Sequence, residues 1–269
     1  MPEGDTVHLA ATRLHAALAG RVLTRTDFRV PAFATSDLSG QVVREVVARG
    51  KHLLFRTDAN LTLHTHFKMD GSWRVYRPGQ RWQGPDFQVR AVLENAERVA
   101  VGFRLAVVEL LPTRGESRVV GQLGPDVLGP DWDPQEALRR LRSKPERPIG
   151  TALLDQEVMA GPGNVYKCEI CFLRGLDPWT PVGEVRDLDG LVALTKRVME
   201  ANRSTGTQIT TGDTRPGRER WVYGRKGQPC RRCGTPIRQA EQEGYGGERV
   251  TYWCPSCQPG SGPDRAGEL

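Results

Sequence analysis

Four cysteines in two pairs place the tightest limit on what this chain can fold into. Cys230-Arg-Arg-Cys233 is followed, 20 residues later, by Cys254-Pro-Ser-Cys257. Two Cys-x-x-Cys knuckles at this separation are the pattern of a tetrahedral zinc site, because each tight turn supplies two thiolates. Four thiolates leave no coordination position for water, so the metal would be structural. It would hold a β-hairpin that the segment's own small core could not stabilise. A disulfide framework does not suit a chain with no visible secretory signal. The other two cysteines, Cys168 and Cys171, also form a Cys-x-x-Cys. They fall in a helical pattern with Val165, Ile170 and Phe172, and read as small buried helix residues.

The chain has 269 residues, enough for two domains with real cores. No run approaches the roughly 20 apolar residues of a membrane helix, and the amino terminus lacks a basic patch ahead of an apolar stretch. A membrane partner is therefore not expected, and the default location is cytoplasmic. The formal net charge is +6, which permits a polyanionic partner without requiring one. The charge is concentrated. Thr214 to Cys257 holds nine Lys or Arg against four acids, interleaved with Trp221, Tyr223, Tyr252 and Trp253. Basic residues among aromatics suit a nucleic-acid surface, whereas a plain solvated face is the bland alternative.

Periodicity divides the chain. Apolar residues at Val7, Ala10, Leu14, Ala17 and Leu18 predict a helix over Thr6 to Ala19, stopped by Gly20. From Arg21 to about Leu123 short β-rich runs alternate with Gly and Pro turns, including Val42-Val43, Val46-Val47, Leu53-Leu54-Phe55, Leu61-Thr62-Leu63, Trp73-Arg74-Val75, Val99-Ala100-Val101 and Leu105 to Val108. Many short strands suggest a sandwich or barrel. Gly124 onward reads as a linker. Asp133-Pro134 is a cap and first-turn pair for a helix to about Leu141. Further helices are expected over Ile149 to Ala160, from a cap at Asn164 to about Leu173, and over Leu188 to Asn202. Residues 204–219 read as a mobile loop, and the Pro/Gly-rich tail as disordered. The fold class is thus α+β: a β-sandwich domain with a leading helix over 1–124, a linker over 125–135, a helical domain over 136–222, a zinc finger over 223–258 and a tail over 259–269.

The start, Met1-Pro2-Glu3-Gly4-Asp5, carries a possible catalyst. Once Met1 is removed, Pro2 is a secondary amine that can attack an aldehyde or hemiaminal carbon and form an iminium. An α-amino group titrates near ~8, so much of it is neutral at neutral pH. Most chains that begin this way use it for nothing. The Gly161-Pro162-Gly163-Asn164 turn between two helices could present backbone N–H groups to a phosphate, or be an ordinary helical hairpin.

Taken in order, these motifs resemble the formamidopyrimidine-DNA glycosylase and endonuclease VIII family. The resemblance runs from Pro2 to Cys257 through Pro2-Glu3-Gly4, Arg49-Gly50-Lys51, His66-Phe67-Lys68-Met69-Asp70-Gly71, Gly161-Pro162-Gly163-Asn164, Trp221-Val222-Tyr223-Gly224-Arg225, and the finger with Arg249 ahead of Tyr252-Trp253-Cys254. The opening Met-Pro-Glu-Gly-Asp-Thr and the stretch from Thr210 to Thr214 look closest to bacterial endonuclease VIII-like members.

That resemblance implies a monomeric two-domain protein gripping damaged DNA, double- or single-stranded, in a cleft, with the target nucleotide flipped out. It implies an activity that removes oxidised bases and cuts the strand by β,δ-elimination. Pro2 would be the nucleophile, Glu3 the proton-transfer group and Lys51 an ammonium against phosphate or sugar oxygen. His66, Asn164, Tyr223 and Arg249 would be phosphate ligands, with Arg249 also serving the catalytic site. Met69 would wedge into the gap left by the base, although core packing is an equal reading. Cys230, Cys233, Cys254 and Cys257 would bind the zinc. One stretch departs from the pattern. Leu111 to Arg118 lacks the Arg-x-Phe element that fills the gap in formamidopyrimidine glycosylases. This favours oxidised pyrimidines over 8-oxoguanine. The alternatives are 8-oxoguanine specificity, or a zinc-dependent protein that binds damaged DNA without chemistry.

Overall fold

A computed structural model describes residues 2–244 and 247–263. The chain divides into two compact units, Met1–Gln122 and Leu123–Leu269. Among the described residues no helix is long and apolar enough to cross a membrane.

The first unit begins with helix α1, Gly4–Leu18, two residues ahead of the predicted start. Eight strands follow: β1 Arg25–Phe28, β2 Val43–Arg49, β3 His52–Thr57, β4 Leu61–His66, β5 Ser72–Tyr76, β6 Val89–Glu94, β7 Val99–Phe103 and β8 Val107–Pro112. They form two antiparallel sheets, ordered β1-β6-β7-β5 and β2-β3-β4-β8. The sequence pattern did not mark β1 and β6. Arg-Thr-Asp-Phe in β1 is a short polar edge strand, and edge strands carry little hydrophobic alternation. The core joins both sheets to α1: Val7, Ala11, Leu14, Ala17 and Leu18 pack with Leu53, Phe55, Leu63, Ala91 and Leu93. Burying one such Leu or Phe side chain is worth about 1.5–3 kcal/mol, so α1 is held by packing along its length. After β8 a 3-10 turn leads into the short helix α2, Ser117–Val120.

The second unit contains α3 Pro134–Arg142, α4 Ile149–Leu154, α5 Asn164–Arg174, α6 Leu188–Asn202, and the strands β9 Arg238–Gln242 and β10 Arg249–Trp253. Asp133 caps α3 as the sequence predicts, its carboxylate accepting from the Gln135 and Glu136 amides. Four expectations need correction. The start of the segment read as a linker, residues 124–128, is buried: Val127 donates to the Ala160 carbonyl and Ala160 to that of Pro125, a short pairing inside this unit. That pairing accounts for the second correction, since residues 155–160 are not helical. Helix α4 stops at Leu154, where Asp155 turns extended and its carboxylate accepts from the Glu157 amide and the Arg147 guanidinium. Third, Asn164 is not a cap. Gly163 takes the cap position and Asn164 is the first helical residue. Fourth, the early tail is placed. Gln258 Nε2 donates to the Leu176 carbonyl and the Gly262 amide to Asp177. The rest of the tail, 264–269, lies outside the described residues.

Two cores result. Helices α3 to α6 share a cluster including Leu138, Leu153, Tyr166, Ile170 and Leu191. The finger has a smaller one of Val222, Cys230, Ile237 and Cys254, completed by Cys168 and Phe172 from α5.

Candidate active site and metal centre

Pro2 is half-buried immediately before α1, and Glu3 is the residue at the helix cap, its side chain fully buried. The Val7 amide donates to the Glu3 carbonyl at 3.0 Å, the first hydrogen bond of the helix. The helix below them is locked into the core, so the start of the chain has a fixed position. Lys51 lies in the two-residue turn between β2 and β3, whose ends pair Arg49 with His52. Gly50 takes φ +57 there, the positive φ that a tight hairpin turn needs.

The loop between β4 and β5 presents Met69. Lys68 takes φ +52, its amide donates to His66 Nδ1 at 2.9 Å, and the Gly71 amide closes the turn on the Phe67 carbonyl at 3.0 Å. A Cβ on Gly71 would lie 2.6 Å from that carbonyl oxygen, so only glycine closes this loop. Phe67 points into the core while Met69 is 57% exposed. Core packing for Met69, one of its two sequence readings, is excluded.

Three histidines on one sheet face form an array that the sequence reading missed, apart from His66. His52 Nδ1 and His64 Nε2 are 2.8 Å apart, and His64 Nδ1 lies 2.8 Å from Glu109 Oε2. The carboxylate accepts, so His64 Nδ1 carries a hydrogen, and a single hydrogen bridges His64 Nε2 and His52 Nδ1. His66 packs edge-on against His52 at 4.8 Å. Its Nδ1 accepts from Lys68, so Nε2 carries the hydrogen and can donate. Burial pushes His52 down to about 3, with His66, His64, Lys68 and Lys51 adding to the shift. Burial also lowers His66 to about 3, with Lys68 and Lys51 next. Both stay neutral at physiological pH, and the electrostatic contributions place the Lys51 and Lys68 ammoniums beside them. The signal was present in the alternation His64-x-His66 facing His52 across a hairpin.

The loop after β8, which lacks the Arg-x-Phe element, is tied down. Glu116 takes two hydrogen bonds from the Arg56 guanidinium, 2.9 and 2.7 Å, and one from Thr62 at 2.6 Å. Arg56 also bonds Glu45 at 2.8 Å.

In the second unit the four predicted thiolates converge. The sulfur atoms of Cys230, Cys233, Cys254 and Cys257 lie within 4.8 Å of one another. Cys230 and Cys257 are 3.9 Å apart and Cys233 and Cys254 3.5 Å. A zinc ion with four bonds of about 2.3 Å needs tetrahedron edges of about 3.8 Å, so the quartet fits zinc and is far too open for disulfides. The ion is structural and held by these four cysteines. Cys168 and Cys171 do not join it. Cys168 faces the finger core, its sulfur accepting from the Tyr252 amide, and Cys171 faces the helical core, where burial pushes its thiol up.

Arg249 opens β10 at the end of the finger away from the metal, exposed, its guanidinium donating to the Glu248 carbonyl at 3.0 Å. Five residue steps of extended chain, about 16 Å, separate it from Cys254 of the knuckle. Asn164 reaches the same strand, donating from Nδ2 to the Val250 carbonyl at 2.7 Å. Its Oδ1 is buried with no hydrogen-bond partner among the described residues. Tyr223 is half-buried, packs edge-on against Tyr252 at 5.1 Å, and has the Arg220 guanidinium over its ring.

The stretch read as a mobile loop is instead heavily bonded. Thr210 and Thr211 amides donate to the Glu219 carbonyl at 2.8 and 3.2 Å. The fully buried Glu169 of α5 accepts from the Trp221, Val222 and Tyr223 amides at 2.8, 2.9 and 2.8 Å, and from the Thr210 hydroxyl. A single acid inside a helix gave no sequence signal that it would organise a loop some 50 residues away.

Three family models match in chain order: the formamidopyrimidine-DNA glycosylase N-terminal domain over residues 1–105, the H2TH domain of the same enzymes over 123–212, and a zinc finger found in FPG and IleRS over 227–260. The chain is 56% identical over 270 residues to a probable endonuclease 8 2 of Streptomyces coelicolor, covering 99% of this chain and 97% of the relative. It is 51% identical over 261 residues to the DNA-(apurinic or apyrimidinic site) lyase Nei2 of Mycolicibacterium smegmatis, covering 97% and 100%. A crystal structure of Lactococcus lactis formamidopyrimidine-DNA glycosylase bound to DNA containing an AP site shares the fold, with TM-score 0.80 and 22% identity over 96% of this chain and all of that one.

Proposed function

The chain belongs to the formamidopyrimidine-DNA glycosylase and endonuclease 8 family, and on that basis we propose that it is a bifunctional DNA glycosylase and AP lyase of base excision repair. The observation that carries this reading is the fixed start of the chain, with Pro2 at the head of a packed helix and the Glu3 carboxyl buried beside it.

After Met1 is removed, the Pro2 nitrogen attacks the sugar carbon that bears the base. The base leaves with a proton, the ring opens, and the nitrogen gives up its own hydrogen to form an iminium. Glu3 moves the proton at the ring oxygen, a role that suits a carboxyl held in one position. The iminium acidifies the neighbouring sugar carbon. Loss of that proton expels the 3′ phosphate, and a second elimination expels the 5′ phosphate. Water then hydrolyses the imine and regenerates Pro2. Lys51 holds phosphate or sugar oxygen from its hairpin turn, and His66 donates its Nε2–H to a phosphate.

Met69, exposed at a rigid turn, fills the gap left by the flipped nucleotide. Arg249, Tyr223 and the second Nδ2 hydrogen of Asn164 contact phosphates from the second unit. The segment 204–219 covers the extrahelical base. Oxidised pyrimidines such as thymine glycol and dihydrouracil are the favoured substrates, because the loop after β8 lacks the Arg-x-Phe element. The place of action is the cytoplasm, where bacterial chromosomal DNA lies.

A panel of duplexes carrying thymine glycol, dihydrouracil or 8-oxoguanine, each also tested single-stranded, examines this reading. The expected result is base release with phosphate left on both sides of the gap, fastest for the pyrimidines. Binding without strand cleavage on every substrate would refute it.

A further inference from the structure

The zinc knuckle does more than close the finger. Arg231 lies between the ligands Cys230 and Cys233, and its guanidinium reaches back to the segment before Trp221. Its Nε donates to the Arg220 carbonyl at 3.0 Å and its Nη2 to the Gly217 carbonyl at 2.6 Å. That segment is a closed loop with a stem and a tip. The stem is Thr210 and Thr211 against Arg218 and Glu219, with the Thr211 hydroxyl donating to the Arg218 carbonyl at 2.7 Å and Trp221 Nε1 to the Thr210 carbonyl at 3.1 Å. The tip, 212–217, begins and ends on glycines at φ +81 and +78.

Two clasps hold this loop, and they hold different parts of it. Glu169 grips the base of the stem from α5, at Thr210 and Trp221 to Tyr223. Arg231 grips the end of the tip and the residue after the stem, from the metal knuckle. Its neighbour Arg232 steadies the knuckle: the Arg232 amide donates to Cys230 Sγ at 3.4 Å and the guanidinium lies over the Phe172 ring at 4.6 Å. A planar guanidinium can donate to two carbonyls at once, which a lysine ammonium on a flexible stem does not reproduce.

We propose that Arg231 is a positioning residue that couples the zinc knuckle to the 212–217 tip, so that the metal sets the geometry of the cover over the extrahelical base as well as the finger's hold on DNA. The inference rests on the reading that this segment covers the base. It has a consequence that finger folding alone lacks. An abasic site has no base to cover, so losing the Arg231 clasp should slow base removal and spare elimination at a site already abasic.

The test is Arg231→Ala and Arg231→Lys in the full-length, zinc-loaded protein. Single-turnover rates are measured on a thymine glycol duplex and on the same duplex with a preformed abasic site. Base excision should fall by about tenfold in Arg231→Ala and less in Arg231→Lys, with elimination and DNA affinity within about twofold of wild type. Zinc should stay at one per chain. Hydrogen exchange, which needs no activity, should quicken at the Arg218 amide, bonded to Arg215 within the loop, and stay slow at Val222 and Tyr223, which Glu169 holds.

Equal losses of excision and elimination would overturn the inference, as would unchanged excision with unchanged exchange at Arg218. If Arg231→Ala sheds its zinc, Arg231→Lys decides: wild-type excision and exchange in that variant overturn the proposal, and selective loss supports it. A wild-type protein that neither excises nor eliminates would remove the functional reading itself. Wild-type activity with unselective variants removes only the Arg231 coupling.

Discussion

All five histidines lie in the first unit and all six cysteines in the second. That division reflects two ways of holding a cation on a hairpin. Lys51 sits at the turn of β2–β3, a hairpin inside a four-stranded sheet backed by α1 and a large apolar core. Arg249 sits on β9–β10, a two-stranded hairpin whose core is a handful of side chains. A lone two-stranded ribbon is marginal in water. The first hairpin is fixed by buried area and neutral histidines, and the second by a metal and the helix beneath it. Proposed contacts of the same kind thus depend on different conditions, and each can be removed separately.

The largest separation should come from the metal. Chelation, or Cys233→Ser, removes a binding free energy that is about 10–16 kcal/mol in isolated zinc fingers. The finger should unfold and DNA affinity should fall by at least about 100-fold, since several phosphate contacts are lost together. The first unit should keep its β-sheet signal. Circular dichroism and a DNA titration on the same sample check both halves; normal zinc content and DNA binding in Cys233→Ser would mean the quartet is misassigned.

Glu3→Gln separates chemistry from binding. Excision should drop by about 10²–10⁴-fold, the range for loss of a positioned proton-transfer group, with affinity for lesion DNA little changed. Wild-type excision rates in that variant would count against Glu3. Phe55→Ala attacks the other hairpin. A buried Phe truncation costs about 3–5 kcal/mol, so thermal unfolding of the first unit should come earlier while zinc stoichiometry stays at one. Concerted melting of both units would break the comparison.

Much of this was legible in the sequence, and the reason differs by region. The zinc quartet was visible because metal geometry forces a fixed spacing. Helices α1, α3 and α6 were visible from apolar period and caps. What the sequence did not reveal depends on partners far along the chain. Glu169 organises residues 210–223 from another helix, and Asp155 ends α4 through Arg147 and a short pairing with residues 125–127. The supposed linker and the supposed mobile loop both looked irregular because their hydrogen bonds go to tertiary partners rather than to neighbours. His52 and His64 were missed because each is unremarkable until the sheet register places them together.

A smaller effect follows from those histidines. His52 and His66 are both lowered in the folded state, from 6.5 to about 3. As pH falls below 6.5 the unfolded chain takes up these protons while the folded unit does not, so stability is lost progressively from 6.5 toward about 3. With zinc in excess, the denaturant midpoint of the first unit should fall between pH 7 and 5, and His52→Gln should flatten that slope. A slope unchanged by the substitution would show that the array does not control it. Smallest of all should be Met69→Ala. An exposed side chain contributes within about 0.5 kcal/mol to stability, so unfolding should be unchanged while affinity for lesion duplex falls a few-fold.

The proposed chemistry depends most on Pro2, the first residue after Met1. Borohydride reduction in the presence of abasic-site DNA, followed by mass mapping of the adduct, tests it directly. The predicted result is one covalent adduct on the Pro2 nitrogen, formed only by protein that has lost Met1. An adduct on a lysine such as Lys51, or full lyase activity with Met1 retained, would contradict it.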